Sequence, residues 1–230
     1  MTRIRPLLLG TALAMIGAAP LCAQQVAYAA VVGGEMDSAT QVAVTRTIAR
    51  ARELGIPVEP LVAKVREGRL KRAPGSRIQS AVERLSERLA AARAALGDGS
   101  SVDEVIAGAD AIAAGADAAS LRALRAASAR PIAAPIGTLA QLLASGVEQR
   151  KAVDMIVVLL RRNAAPAQVL ALGNLVEMDV SSGLRPDESA AFRLRGIEGS
   201  LSNAGDLNAT ASPRVPASPP SGMSAPRRRP

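Results

Sequence analysis

Apolar residues in the middle of this chain return every three or four positions. Ile78, Val82, Leu85, Leu89, Ala92 and Leu96 are separated by four, three, four, three and four residues, a spacing that lines one face of an α-helix and not one face of a strand. It predicts a long helix entered through Ser76 as N-cap and stopped at Gly97. An earlier helix is predicted to open on Ser38, with Gln41 three residues on in capping-box register, to carry Val44, Ile48 and Ala51 inward, and to end at Gly55. Ser101 and Glu104 repeat the box ahead of Val105, Ala109 and Ile112. The most apolar run, Val153 to Leu160, is too short to cross a bilayer and reads as a central helix buried on most sides, or as a partner-facing surface where neighbouring helices leave it uncovered.

The breaks between these segments share a chemistry. Gly55-Ile56-Pro57, Arg72-Ala73-Pro74, Gly146-Val147-Glu148, Asn163-Ala164-Ala165-Pro166 and Gly183-Leu184-Arg185-Pro186 each follow a left-handed-tolerant or polar residue with a small or aliphatic one, and four of the five then place a proline. Proline just beyond a helix stop ends one helix and pre-sets the first turn of the next. Where consecutive copies are legible they recur about every 17 to 20 residues, a helix-turn unit repeated along the chain; the copies around Gly97, Gly115 and Pro131 fit less well. The expected fold is all-α, an array of about eight short to medium helices forming either an irregular bundle or a loose, solenoid-like repeat.

The ends of the chain differ from this body. Arg3 and Arg5 followed by the apolar run Leu7 to Ala19 read as an export signal over residues 1–29, with cleavage after Ala23 or after Ala29, where Ala27-Tyr28-Ala29 makes an A-x-A pattern. Cys22 is preceded by Leu21 and not by a small residue, so it is expected to leave with the leader and not to carry a lipid. A connector at 30–34 leads into a helical domain at 35–207. The remainder, 208–230, is rich in Pro, Ser and Arg with little to bury, and reads as a disordered tail. Asn208-Ala209-Thr210 matches a glycosylation sequon.

Locating the charges changes what the net of +8 implies. Two of the 28 basic residues lie in the leader and four in the tail (Arg214, Arg227, Arg228, Arg229), which leaves 22 against 20 acids, a net of +2 in the body. Within the body the sign alternates: 12 bases and 5 acids from Arg46 to Arg93, then five acids and no base from Asp98 to Asp117, then +5 from Arg122 to Arg162 and -3 from Ala164 to Asn208. Arg77, Arg84 and Arg88 share one side of the long helix. Together with Arg227, Arg228 and Arg229 they are the candidate contacts for an anionic surface, although Arg84 with Glu87 has ordinary ion-pair spacing.

Candidate chemistry is sparse. Beyond the leader there is one aromatic residue, Phe192, with no histidine, tryptophan or cysteine, which removes most ways to hold a metal, activate a nucleophile or stack a base. Asp103, Asp110 and Asp117 fall seven residues apart, about 10 Å of rise on a helix, too far to share one calcium; Asp117 reads as an N-cap. The carboxylate pairs Glu83 with Glu87 and Glu177 with Asp179 are the only candidates for acid-pair hydrolysis. The three lysines, Lys64, Lys71 and Lys151, lack an S-x-x-K partner, and neither a nucleophile elbow nor a P-loop is present.

The sequence therefore predicts no catalytic, metal or cofactor-binding residues. It points to an exported protein, periplasmic or extracellular or else held by an uncleaved leader, that acts as a non-catalytic interaction or structural module of the cell envelope. Expected partners are another envelope protein or a second copy. A basic tether to anionic polymer or lipid is the first alternative, and a small-ligand carrier or histidine-independent hydrolase the second; nucleic acid is disfavoured by the missing aromatics and by the leader.

Overall fold

Among the described residues seven adopt a positive φ, and they mark the helix stops. Gly55, Gly97, Gly115, Gly146 and Gly183 are joined by two residues with side chains, Arg72 (φ 51°) and Asn163 (φ 53°). At all five predicted breaks the hydrogen bonding is the same. The amide of the left-handed residue bonds three residues back, as in Gly55 to Arg52, and the next amide bonds five back, as in Ile56 to Ala51, Ala73 to Gly68, Val147 to Leu142, Ala164 to Leu159 and Leu184 to Asp179. This is the Schellman closure, which satisfies the last carbonyls of a helix and turns the next residue inward. Ile56, Val147 and Ala164 are accordingly buried, whereas Leu184 stays half exposed. Gly115 also has a positive φ, at 109°, and is followed by buried Ala116.

The computed structural model describes residues 36–210, and the side chains of 36–203. Among them are nine helices and no strand: α1 (Ser38–Glu53), α2 (Glu59–Leu70), α3 (Gly75–Leu96), α4 (Val102–Ala113), α5 (Ala118–Ala127), α6 (Ala133–Ala144), α7 (Gln149–Arg161), α8 (Pro166–Ser181) and α9 (Pro186–Thr210). The fold is all-α. The expected leader and connector, and residues 211–230 of the expected tail, lie outside the described residues; α9 continues through the sequon to Thr210, three residues past the expected end of the domain.

The helices form two compact units, one reaching Ala113 and including Asp117–Arg122, the other comprising Ala114–Ala116 and the chain from Ala123. The boundary falls inside α5. In the first unit α3 packs against α1, α2 and α4. Its stripe buries Ile78, Val82, Leu89, Ala92 and Leu96, with Ala95 added and Leu85 only partly covered. In the second unit α8 packs on α6 and α9, and α7 packs on α6 and α9. From Met155 to Leu160 no residue of α7 is exposed; Met155, Ile156 and Leu159 are buried and the other three are partly covered.

Two starts differ from expectation. The N-cap of α1 is Asp37 and not Ser38: its carboxylate accepts from the Thr40 amide at 2.9 Å and from the Thr40 hydroxyl at 2.7 Å, while Gln41 donates to the Met36 carbonyl. An ionised carboxylate facing a helix N-terminus outcompetes a hydroxyl one residue later. Ser76 does not cap α3. That helix starts at Gly75 after Pro74, because a Cβ on Gly75 would sit 2.9 Å from both Asp37 Oδ2 and Thr40 Oγ1, and only glycine lets the α3 start approach the α1 cap. The Ser101–Glu104 box forms as expected, with each side chain accepting from the other's amide at 3.2 and 2.9 Å.

Arg72 supports a direct test. An L side chain in the left-handed region costs about 1–2 kcal/mol, and glycine returns only part of that gain to the unfolded chain. Arg72→Gly is expected to stabilise the first unit by about 0.5–1 kcal/mol in urea denaturation; unchanged or lower stability refutes the account of this turn.

Candidate interaction surface

Helices α1 and α3 run in the same direction. The α1 cap lies against Gly75 at one end, and at the other the Gly55 carbonyl accepts from Arg93 Nη2 at 3.1 Å. Arg93 also donates through Nη1 to the Ser100 carbonyl and hydroxyl, at 2.9 and 3.2 Å, so one guanidinium ties the α1–α2 turn to the α3–α4 loop. With α1 and α3 parallel, their outward-facing rows lie side by side and enclose an open groove of about 450 Å³.

The two walls of this groove carry opposite charge. Arg46 and Arg50 line it from α1, Glu83 and Glu87 from α3, and Leu54, Ile56 and Ala90 supply apolar surface at one end. Both charged pairs are four residues apart, one helical turn, so the rows keep step along the groove. Among the described residues no ion pair joins the arginines to the glutamates; Glu83 accepts only from Gln79, at 2.9 Å. Val42 and Leu54, at the two ends of the α1 row, are 57 % and 59 % exposed.

The basic residues singled out from sequence lie elsewhere on α3. Arg77 and Arg84 are exposed, Arg88 is half-buried with its Nε unpartnered, and none of the three lines the groove. Arg84 and Glu87 are not ion-paired among the described residues. Arg227, Arg228 and Arg229 lie outside the described residues. Arg46 and Arg50 were missed because a pair of exposed arginines on an amphipathic helix resembles any solvated face until the neighbouring helix is known. The available signal was their i, i+4 spacing opposite buried Val44, Ile48 and Ala51.

The other acidic candidates separate. Asp103 and Asp110 are exposed on α4, whereas Asp117 caps α5 by accepting from the Ser120 amide at 2.7 Å; no group of three acids gathers among the described residues. Glu177 accepts from Gln141 on α6, while Asp179 turns toward α9. There Arg193 binds Asp179 in a two-pronged contact, Nε at 2.8 Å and Nη2 at 2.6 Å, and the buried Ser189 hydroxyl donates at 2.5 Å. These bonds hold the Asp179 carboxyl down at about 2, Arg193 contributing most and Ser189 next, against a smaller opposing effect of burial.

Asp179 thus fastens α9 to α8 in a pH-dependent way. Its folded pKa lies below the unfolded carboxylate value, so its stabilisation is complete above pH 4 and drains away as pH falls from about 4 through about 2. Asp179→Asn is expected to lower Tm by about 4 °C at pH 7, with the difference from the parent shrinking toward zero near pH 2. A constant difference across that range in pH-resolved melting removes the assignment. Comparing the two proteins at each pH cancels the contribution of Glu67, also held at about 2 by bonds from Lys64 and Lys71.

The chain matches no protein-family model, no curated protein and no solved structure.

Proposed function

We propose that this chain is an exported, non-catalytic helical protein that works as an interaction module in the cell envelope, and that the α1–α3 groove is the surface it presents. The observation that carries the reading is the groove's pair of oppositely charged walls, unpaired across the gap, beside exposed Val42 and Leu54. An amphipathic helix of a partner satisfies such a surface. Its apolar face covers Leu54, Ile56 and Ala90, and its acidic and basic flanks meet Arg46 with Arg50 and Glu83 with Glu87 respectively. The export reading is supported by the basic-apolar-small order of residues 3–29.

Site-specific photocrosslinking in the native host tests this. A crosslinker at Val42 or Leu54 is expected to give one discrete adduct in the envelope fraction, on a chain shortened by leader cleavage. Arg46→Glu with Arg50→Glu is expected to abolish it, while a crosslinker at exposed Ala63 on α2 gives none. Adducts indifferent to charge reversal exclude the groove. Uncleaved protein in the cytoplasm excludes export. Salt-sensitive binding to anionic vesicles that depends on Arg77, Arg84 and Arg88 and not on the groove replaces the module with the basic tether.

A further inference from the structure

A second depression lies in the other unit, and its chemistry is different from that of the groove. Where the segment before α6 meets the α7–α8 turn, Pro131, Pro135, Pro166, Leu160, Ala164 and Val169 enclose a pocket of about 210 Å³. Pro135, Ala164 and Val169 are buried and form its inner lining, while Pro131 and Pro166 are exposed. The walls are stiff: three lining residues are prolines, and the turn on one side is closed by the Asn163-to-Leu160 and Ala164-to-Leu159 amide bonds, with Gln168 reaching back to the Ala165 amide at 2.8 Å. A small, preformed, largely apolar recess binds without the cost of ordering its walls.

The polar residues around it are Ser128, Asn163 and Arg130. Arg130 is exposed, and among the described residues its side chain has no ion-pair partner; the Ser128 hydroxyl accepts from its backbone amide at 3.1 Å and leaves the guanidinium uncommitted. No acidic residue lines the pocket. An apolar recess beside one unpaired, always-charged planar cation selects an apolar group attached to a carboxylate. We propose that this pocket binds a small hydrophobic carboxylate, one branched aliphatic or phenyl group placed among the prolines with its carboxylate on Arg130. The inference concerns a different unit from the groove and does not depend on it. The same chemistry arises from a free acid or from the last residue of a polypeptide.

Titration of the full-length protein followed by amide NMR tests the proposal with benzoate and 4-methylpentanoate as probes. Saturable shifts confined to 128–136 and 160–169 are expected, with a Kd of about 1 mM, the range open to a ligand of this size. Benzamide, matched in shape but uncharged, is expected to bind at least about tenfold more weakly, and Arg130→Gln to weaken benzoate by a similar factor. Because Arg130 is exposed, this variant should fold; Ala164→Leu, which fills the recess, should abolish binding of every probe. A tripeptide ending in leucine with a free carboxylate that binds more tightly than 4-methylpentanoate identifies a chain terminus as the source, and weaker binding identifies the free acid. Absence of saturable shifts, equal affinity for benzamide, or indifference to Arg130→Gln overturns the proposal.

Discussion

Leu89→Ala is expected to destabilise the first unit by about 3–4 kcal/mol, a large share of what holds a domain of this size folded. Leu89 has no solvent exposure and lies at the midpoint of the α3 stripe, on the helix that packs against α1, α2 and α4. Truncation removes the transfer energy of the lost carbons and leaves a void that several helices must close at once. The surrounding stripe offers little to fill it, since Ala92 and Ala95 have no freedom to extend into the space. Leu85, one turn earlier and only partly covered, provides the comparison: its replacement by alanine is expected to cost about 1 kcal/mol, because water already reaches part of it. Urea denaturation with an unchanged slope and a lowered midpoint reads both effects. Equal losses at the two sites contradict the placement of the stripe.

That stripe was legible in the sequence because it depends on periodicity alone, and so were the helix stops. A residue tolerant of left-handed φ followed by a small or aliphatic residue is local chemistry, and Gly55, Arg72, Gly146, Asn163 and Gly183 all behave as their neighbours require. Positions decided by competition were less legible. Asp37 and Ser38 both suit an N-cap, and the spacing from Ser38 to Gln41 concealed the bond that the Thr40 amide donates to Asp37. The candidate surface was least legible, because its walls come from helices separated by all of α2. Nothing in the neighbourhood of Arg46 announces that Glu83 will face it. Arg93 is similar: its role in joining Gly55 to Ser100 exists only after α3 has been placed beside α1. The pocket beside Pro131 likewise joins two segments about thirty residues apart, and the sequence showed each of them only as a break between helices.

Gly108→Leu is expected to cost the first unit about 2–3 kcal/mol, although glycine within a helix is ordinarily unfavourable. On an open helix surface leucine replaces glycine with a gain of nearly 1 kcal/mol from propensity alone. Gly108 is buried in α4, and a Cβ built there would lie 2.8 Å from Ala92 Cβ, 3.3 Å from Leu96 Cδ1 and 3.5 Å from Leu121 Cδ1. The nearest of these is the deciding one. A leucine terminus can rotate away, but the Ala92 Cβ is fixed to the α3 backbone, so relief requires α3 and α4 to separate. Overpacking of this kind typically costs 1–3 kcal/mol, and four added carbons place the loss at the upper end after the propensity gain is deducted. Gly108→Ala separates the contributions: of the three neighbours of its single carbon only the Ala92 Cβ is fixed, since the Leu96 and Leu121 termini can rotate, and the clash and the propensity gain are expected to leave a net loss below about 1 kcal/mol. Ala92→Gly combined with Gly108→Ala should then recover stability relative to Ala92→Gly alone, because the obstructing carbon is gone and only the helix-propensity gain remains. A double-mutant cycle in urea measures this coupling, and strictly additive single changes would show that α3 and α4 do not meet at this pair.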